Sequence, residues 1–185
     1  MVLCAFDFDA TLACGEVSFF TGHERMAGEF GGAERIGLLR AMLVELNELG
    51  ARCVVVSFNS KDTINRALRA IGLIDLFDGT YGSEHELLEG LRARKSALLA
   101  HLRRGSEPVL FADDNGGNIR DVVSALPATH AILVPPKPGG MLAEQMQAAV
   151  SWARAQRDAA RSTPPADEAG AVADAIASTH IDSLV

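Results

Sequence analysis

Two short acidic segments of the chain have the residue types and spacing for phosphoryl chemistry. The first is Phe6-Asp7-Phe8-Asp9-Ala10-Thr11-Leu12, which follows an apolar run. The second is Phe111-Ala112-Asp113-Asp114-Asn115-Gly116-Gly117-Asn118-Ile119, which follows another. Alternation along an extended segment puts Asp7 and Asp9 on the same side, where both can face one ligand. Two close carboxylates repel and need a cation or a shared proton. A carboxylate can attack phosphorus to give an aspartyl-phosphate, which splits one difficult hydrolysis into two easier steps. A second carboxylate can give a proton to the leaving oxygen and later take one from water. Asp113 and Asp114 end another strand and can converge with Asp7 and Asp9 at one edge of a sheet. Hard oxygen ligands from two strand ends, with waters and a substrate phosphate, suit Mg²⁺. Such an ion offsets the crowded negative charge and that of the transferring phosphoryl group.

Blander roles compete for the same residues. A calcium loop also begins Asp-x-Asp, but it lies between helices and continues with Gly and Glu at set spacing, which Leu12 to Val17 does not supply. Asp114 or Asn115 can serve as a helix N-cap, as can Asn59 or Ser60 in Val54-Val-Val-Ser57-Phe58-Asn59-Ser60. Ser57 ends a buried strand and is placed to hydrogen-bond a phosphoryl oxygen at the head of the next helix, whose N-terminus favours anions. A cation is wanted beside the nucleophile, and spacing leaves Arg92, Arg94, Lys95 and Arg103 all open.

The elements that must hold these residues follow from hydrophobic patterning. Apolar runs at Val2 to Phe6, Arg52 to Val56, Pro108 to Ala112 and Ala131 to Val134 alternate with helix-period segments. That is the pattern of an α/β fold, a parallel sheet with helices on both faces. Helices are predicted over Gly37 to Leu49, closed by Gly50, then over Lys61 to Ile71, Lys95 to Leu102, Ile119 to Leu126 and Met141 to Arg157. Residues 13–34 form a Gly-rich insertion sized for a loop or small flap rather than a cap domain. One domain over residues 1–157 is expected. Residues 158–185, rich in Ala, Ser, Thr and Pro, read as a tail that cannot fold alone, with Ala171 to Ile176 transiently helical.

Composition narrows the partners. The 185 residues are 48% hydrophobic and 22% charged with a net charge of −7, and no Lys/Arg block is present. A nucleic-acid partner is therefore not expected. No run is long enough for a membrane span. Cys4, Cys14 and Cys53 form no CxxC pair, which fits a reduced, cytoplasmic setting.

In this order, Asp7-x-Asp9-x-Thr11, then Ser57, then Lys95, then Asp113-Asp114 resemble the four motifs of the haloacid dehalogenase superfamily over roughly residues 1–150. The resemblance implies a Rossmann-like three-layer sandwich with a mainly parallel sheet. It implies Asp7 as nucleophile, Asp9 as acid/base, and Ser57, Phe58 and Lys95 as phosphate contacts, and so selects Lys95 among the basic candidates. Mg²⁺ is implied on Asp113, the Asp7 side chain and a carbonyl at Asp9, with Thr11, Asp114 and Asn118 in support. The small insertion and the Asp113-Asp114-x-x-x-Asn118-Ile119 spacing look like the capless magnesium-dependent phosphatases, which act on phosphotyrosine or sugar phosphates. Phe58 and Asn59 stand where those relatives often carry a basic residue, and Asp9 speaks against dehalogenase chemistry. The function implied is a magnesium-dependent phosphomonoester hydrolase acting on a phosphoprotein or a small phosphorylated metabolite. The alternatives are phosphoryl transfer to another acceptor and a silent phosphate-binding adaptor that recruits a partner through its tail.

Overall fold

The structure is a computed structural model, and it describes residues 1–90, 93–135 and 139–162. Five strands form one parallel sheet: β1 (Val2–Phe6), β2 (Ala51–Val56), β3 (Gly79–Tyr81), β4 (Val109–Asp113) and β5 (His130–Leu133), in the order β3-β2-β1-β4-β5. Every neighbouring pair is parallel, with Cys4 opposite Cys53 and Leu110 across β1–β2 and β1–β4. Strands covered on both faces need apolar residues at every position rather than at alternate ones. β1 (Val-Leu-Cys-Ala-Phe) is buried throughout for that reason.

Successive side chains feed two separate cores. Cys4, Phe6, Cys53, Val55 and Leu110 pack toward α1 (His23–Glu29), α2 (Gly32–Glu48), α3 (Lys61–Ala70) and α6 (Ala143–Ser162). Leu3, Ala5, Val54, Val56 and Phe111 pack toward α4 (Lys95–Leu102) and α5 (Gly116–Ala125). The result is the expected three-layer, Rossmann-like α/β sandwich. α2 buries Leu39, Met42, Leu43 and Leu46, spaced as one helical face requires, each burial stabilising by roughly 1.5–3 kcal/mol.

Three details differ from the sequence expectation. β3 is an additional edge strand, three residues long with only Thr80 buried, too short to show a hydrophobic pattern. The insertion holds α1 and the first turn of α2, with Met26 the single buried residue of α1. Among the described residues no cap domain is present. α6 continues past Arg157 to Ser162. Arg92 and the segments from Ala171 to Ile176 and beyond lie outside the described residues.

The loop after β3 is fixed against the head of α3, beside the carboxyl edge of the sheet. Ser83 donates its amide to the Asn59 carbonyl at 2.9 Å, and Glu84 Oε2 accepts the Lys61 amide at 2.9 Å. A β-carbon on Gly82 would stand 2.3 Å from the Lys61 nitrogen and 2.8 Å from the Asn59 oxygen, both backbone atoms. Gly82→Ala is therefore expected to lower stability by about 1–3 kcal/mol, read as a shift of the urea midpoint at constant m. An unchanged midpoint would mean that this loop is free to move off α3.

Candidate active site

The order of the strands creates the site. From central β1 the chain crosses to β2 on one side and later to β4 on the other, so the β1/β4 boundary is the switch point where open α/β sheets form a ligand crevice. Asp7 and Asp113 stand at the ends of those two strands, and the Asp7 amide donates to the Ala112 carbonyl at 2.9 Å. Asp113 is fully buried and Asp7 is 5% exposed.

After Asp7 the backbone leaves the strand through one wide turn, Phe8–Leu12, in which Asp9 is extended and Ala10 adopts a left-handed φ of 52°. A non-glycine residue there is strained by roughly 1–3 kcal/mol. Surrounding bonds hold it in place. Ala10 and Thr11 carbonyls accept the Gly140 and Met141 amides at 2.9 and 2.8 Å, and the Arg35 guanidinium donates to the Thr11 and Leu12 carbonyls. The Thr11 hydroxyl accepts the Asp114 amide at 3.1 Å, which ties the two acidic segments together. Asp9 thus reaches the cleft by a kinked turn and not by strand alternation as the sequence predicts.

Lys95, the first residue of α4 and only 3% exposed, lies between the strand ends. Its Nζ donates to Asp7 Oδ1 and, at 2.8 Å, to Asp113 Oδ2. Asp113 also accepts the Asn115 amide at 2.7 Å and the Asn118 side-chain amide at 3.1 and 3.2 Å. Ser57 Oγ accepts the Asn59 amide at 3.1 Å, which leaves the hydroxyl proton to donate, and the Phe58 amide meets no acceptor among the described residues. Asp7, Asp9, Ser57, Phe58, Lys95, Asp114 and Asn118 all line one cleft of about 580 Å³. Arg94 instead pairs with Asp121, and Arg103 bonds the Glu107 carbonyl.

The capping alternatives are divided. Ser60 caps α3 by accepting the Thr63 amide, and Asn115 caps α5 by accepting the Gly117 amide at 2.8 Å. Asp114 is left free of that role. The head of α3, read from the sequence as an anion site, already receives a carboxylate from Glu84 at the Lys61 amide.

The sequence offers Asn59 only as a helix cap, a role that Ser60 takes, and the structure places Asn59 in a bracket instead. Its Nδ2 donates to Asp9 Oδ2 and to the Val17 carbonyl, both at 2.9 Å, while the Val17 amide donates to Asp9 Oδ1 at 2.8 Å. The acid/base candidate and the insertion are thereby fixed to one another. The signal available was an amide side chain two residues past the strand-end hydroxyl.

Burial pushes the Asp7 carboxyl up to about 6, against the pull of the Lys95 ammonium and with the repulsion of Asp113. Burial also raises Asp9, against the donors Val17 and Asn59, and raises Asp114 together with the Asp113 charge. Oxygens of Asp7, Asp113 and Asp114 lie within 4.8 Å of one another. One lysine leaves this group in negative excess, and hard oxygen donors at that spacing fit a divalent cation such as Mg²⁺. The Asp9 carboxylate lies outside this group, occupied by Val17 and Asn59.

Fold and site together define a Rossmann-like α/β domain with an acidic cleft at its switch point. No family model and no curated protein sequence matches the chain. Solved structures do match. The HAD domain of the effector protein Lem4 from Legionella pneumophila, an inactive mutant, matches with a TM-score of 0.59 at 13% identity, over 88% of this chain and 98% of that one. A second structure of the same domain gives 0.52 at 16% identity over 74% and 88%. The N-terminal part of BF1531 from Bacteroides fragilis, containing a phosphatase domain complexed with Mg, gives 0.52 at 14% identity over 82% of this chain and 39% of that one. At these identities the likeness establishes the fold. Among the described residues no helix is long and apolar enough to cross a membrane, and the three cysteines are free thiols.

Proposed function

We propose that the chain is a magnesium-dependent phosphomonoester hydrolase working through an aspartyl-phosphate on Asp7. The observation that carries this reading is the buried Lys95 ammonium shared by Asp7 and Asp113 at the floor of an open cleft. A carboxylate held so is oriented for attack, and the ammonium beside it attracts the phosphoryl oxygens. Ser57 Oγ–H and the Phe58 amide are the neutral donors for the other oxygens. Asp7 attacks phosphorus as the bond to the leaving oxygen breaks, and the Asp9 carboxyl gives that oxygen its proton. The Asp9 carboxylate then takes a proton from water as the water attacks the aspartyl-phosphate, releasing phosphate and restoring Asp7. Asp7, Asp113 and Asp114 would hold Mg²⁺, joined by the Asp9 carbonyl, and the ion offsets the repulsion between carboxylates and phosphate. The BF1531 structure, with its phosphatase domain complexed with Mg, supports the metal assignment by analogy. The partner in this reading is a phosphorylated substrate in the cytoplasm, not nucleic acid or membrane.

4-Nitrophenyl phosphate tests the proposal. Release of phosphate with Mg²⁺, and none after chelation, is expected. Turnover that ignores magnesium would overturn it, and phosphate binding without release would favour the adaptor. Phosphorylation of added alcohols in place of water would identify a phosphotransferase.

A further inference from the structure

The charged residues lining the described cleft are acidic with one exception. Asp7, Asp9, Glu16 and Asp114 line it, and Lys95 is the only cation among the described lining residues. That cation is engaged, with Asp7 and Asp113 both on its Nζ. Arg66, on neighbouring α3, spends its guanidinium on the Ser18, Phe19 and Thr21 carbonyls, and Arg94 is paired with Asp121. Glu16 is exposed and near enough for its charge to act on Asp9. Of the apolar lining residues Ala10, Val17 and Phe58, the exposed one is Phe58, 45% exposed, with its ring centroid 5.2 Å from Lys95 Nζ. Phe58 lines the cleft together with Ser57 and Lys95, so its ring is available to a group esterified to a phosphate held by those two residues.

Resting on the hydrolase reading, we propose that the cleft selects phosphomonoesters whose leaving group is aromatic and carries no further negative charge. Phe58 contacts the ring, and Glu16 repels a second anion. A divalent ion on Asp7, Asp113 and Asp114 is matched by the phosphoryl group's own two charges, so the mouth stays short of positive charge. A second phosphate or carboxylate would enter beside Asp9 and Glu16 without a free partner, at a cost of about fivefold in kcat/KM per close unit charge in water. An aromatic leaving group instead meets Phe58 in edge or offset geometry, worth about threefold over an aliphatic ring of equal size.

Three substrates separate the effects: benzyl phosphate, 4-carboxybenzyl phosphate and cyclohexylmethyl phosphate, each with Mg²⁺. Benzyl phosphate is expected to lead the carboxylated ester by about fivefold at low ionic strength, a gap that narrows with added salt and in Glu16→Gln. It is expected to lead the cyclohexylmethyl ester by about threefold, a ratio lost in Phe58→Leu. Both residues are exposed, so these substitutions leave the core intact. Equal kcat/KM for the charged ester, or ratios unmoved by the two variants, would overturn the proposal. Hydrolysis of none of the three while 4-nitrophenyl phosphate is hydrolysed would overturn this inference alone; no hydrolysis of 4-nitrophenyl phosphate either would overturn the hydrolase reading, and this inference with it.

Discussion

Asp7→Asn will abolish phosphate release while leaving the metal-free protein at least as stable at neutral pH. The chemical loss follows from the removal of the nucleophile, on the order of 10⁴-fold or more in kcat. The stability result follows from the balance at this carboxyl. Its folded value of about 6 lies above the ordinary 3.8, so burial and Asp113 together outweigh Lys95. For a carboxyl raised in this way, ionisation weighs on the folded state. Stability falls as pH rises from about 4 to about 6 and stays lowered above that, by on the order of 3 kcal/mol. Asparagine has nearly the same shape and no charge, and Lys95 keeps Asp113 as its partner. Thermal melts of metal-free protein at about pH 5 and pH 7.5 should show a larger fall in the parent than in the variant, where the raised Asp9 and Asp114 carboxyls still contribute. Mg²⁺ should raise the parent's Tm more at pH 7.5 than at pH 5, where it must displace the Asp7 proton. A variant that melts several degrees below the parent at pH 7.5 would mean that the Lys95 ion pair dominates instead.

The sheet was readable because a parallel strand buried on both faces is a continuous apolar run, as in Val54-Val55-Val56. Gly79–Tyr81 escapes that test because an edge strand of three residues buries one side chain. α1 escapes it because Met26 alone of its residues is buried, so no period can show. In the site, Asp7, Asp113 and Ser57 were legible as polar residues at the ends of such runs. The direction of the Asp9 carboxylate was not, since it depends on the left-handed turn at Ala10 and on Asn59, fifty positions away in sequence. Lys95 could be told from Arg94 and Arg103 only by family resemblance. Its burial comes from the placement of α4 under the ends of β1 and β4, and local spacing carries no trace of that. Asp114 entered the sequence reading as support for a metal held by Asp7, Asp9 and Asp113. The geometry groups its carboxylate with those of Asp7 and Asp113.

Lys95→Met should be the most destabilising single change in the site. The side chain has nearly the same length and fits the same channel past Phe58 and Phe111, so the loss is of charge rather than of packing. Asp7 and Asp113 are then left buried, close together and without their shared cation. Removing one partner of such a buried set costs roughly 3–5 kcal/mol. Asp113 retains the Asn115 and Asn118 donors, whereas Asp7 loses its only side-chain hydrogen-bond partner among the described residues. Three measurements separate this account from a general packing defect. Mg²⁺ should recover part of the lost Tm, because the ion supplies charge to the same oxygens, without restoring phosphate release. Lys95→Met combined with Asp7→Asn should be more stable than Lys95→Met alone, since neutralising one carboxylate removes the repulsion that the first change exposed. Lys95→Arg should not rescue activity, because a planar guanidinium cannot replace a compact ammonium placed between two carboxylates. If the double variant is no more stable than the single one, Lys95 serves the fold through its stem and not through its charge.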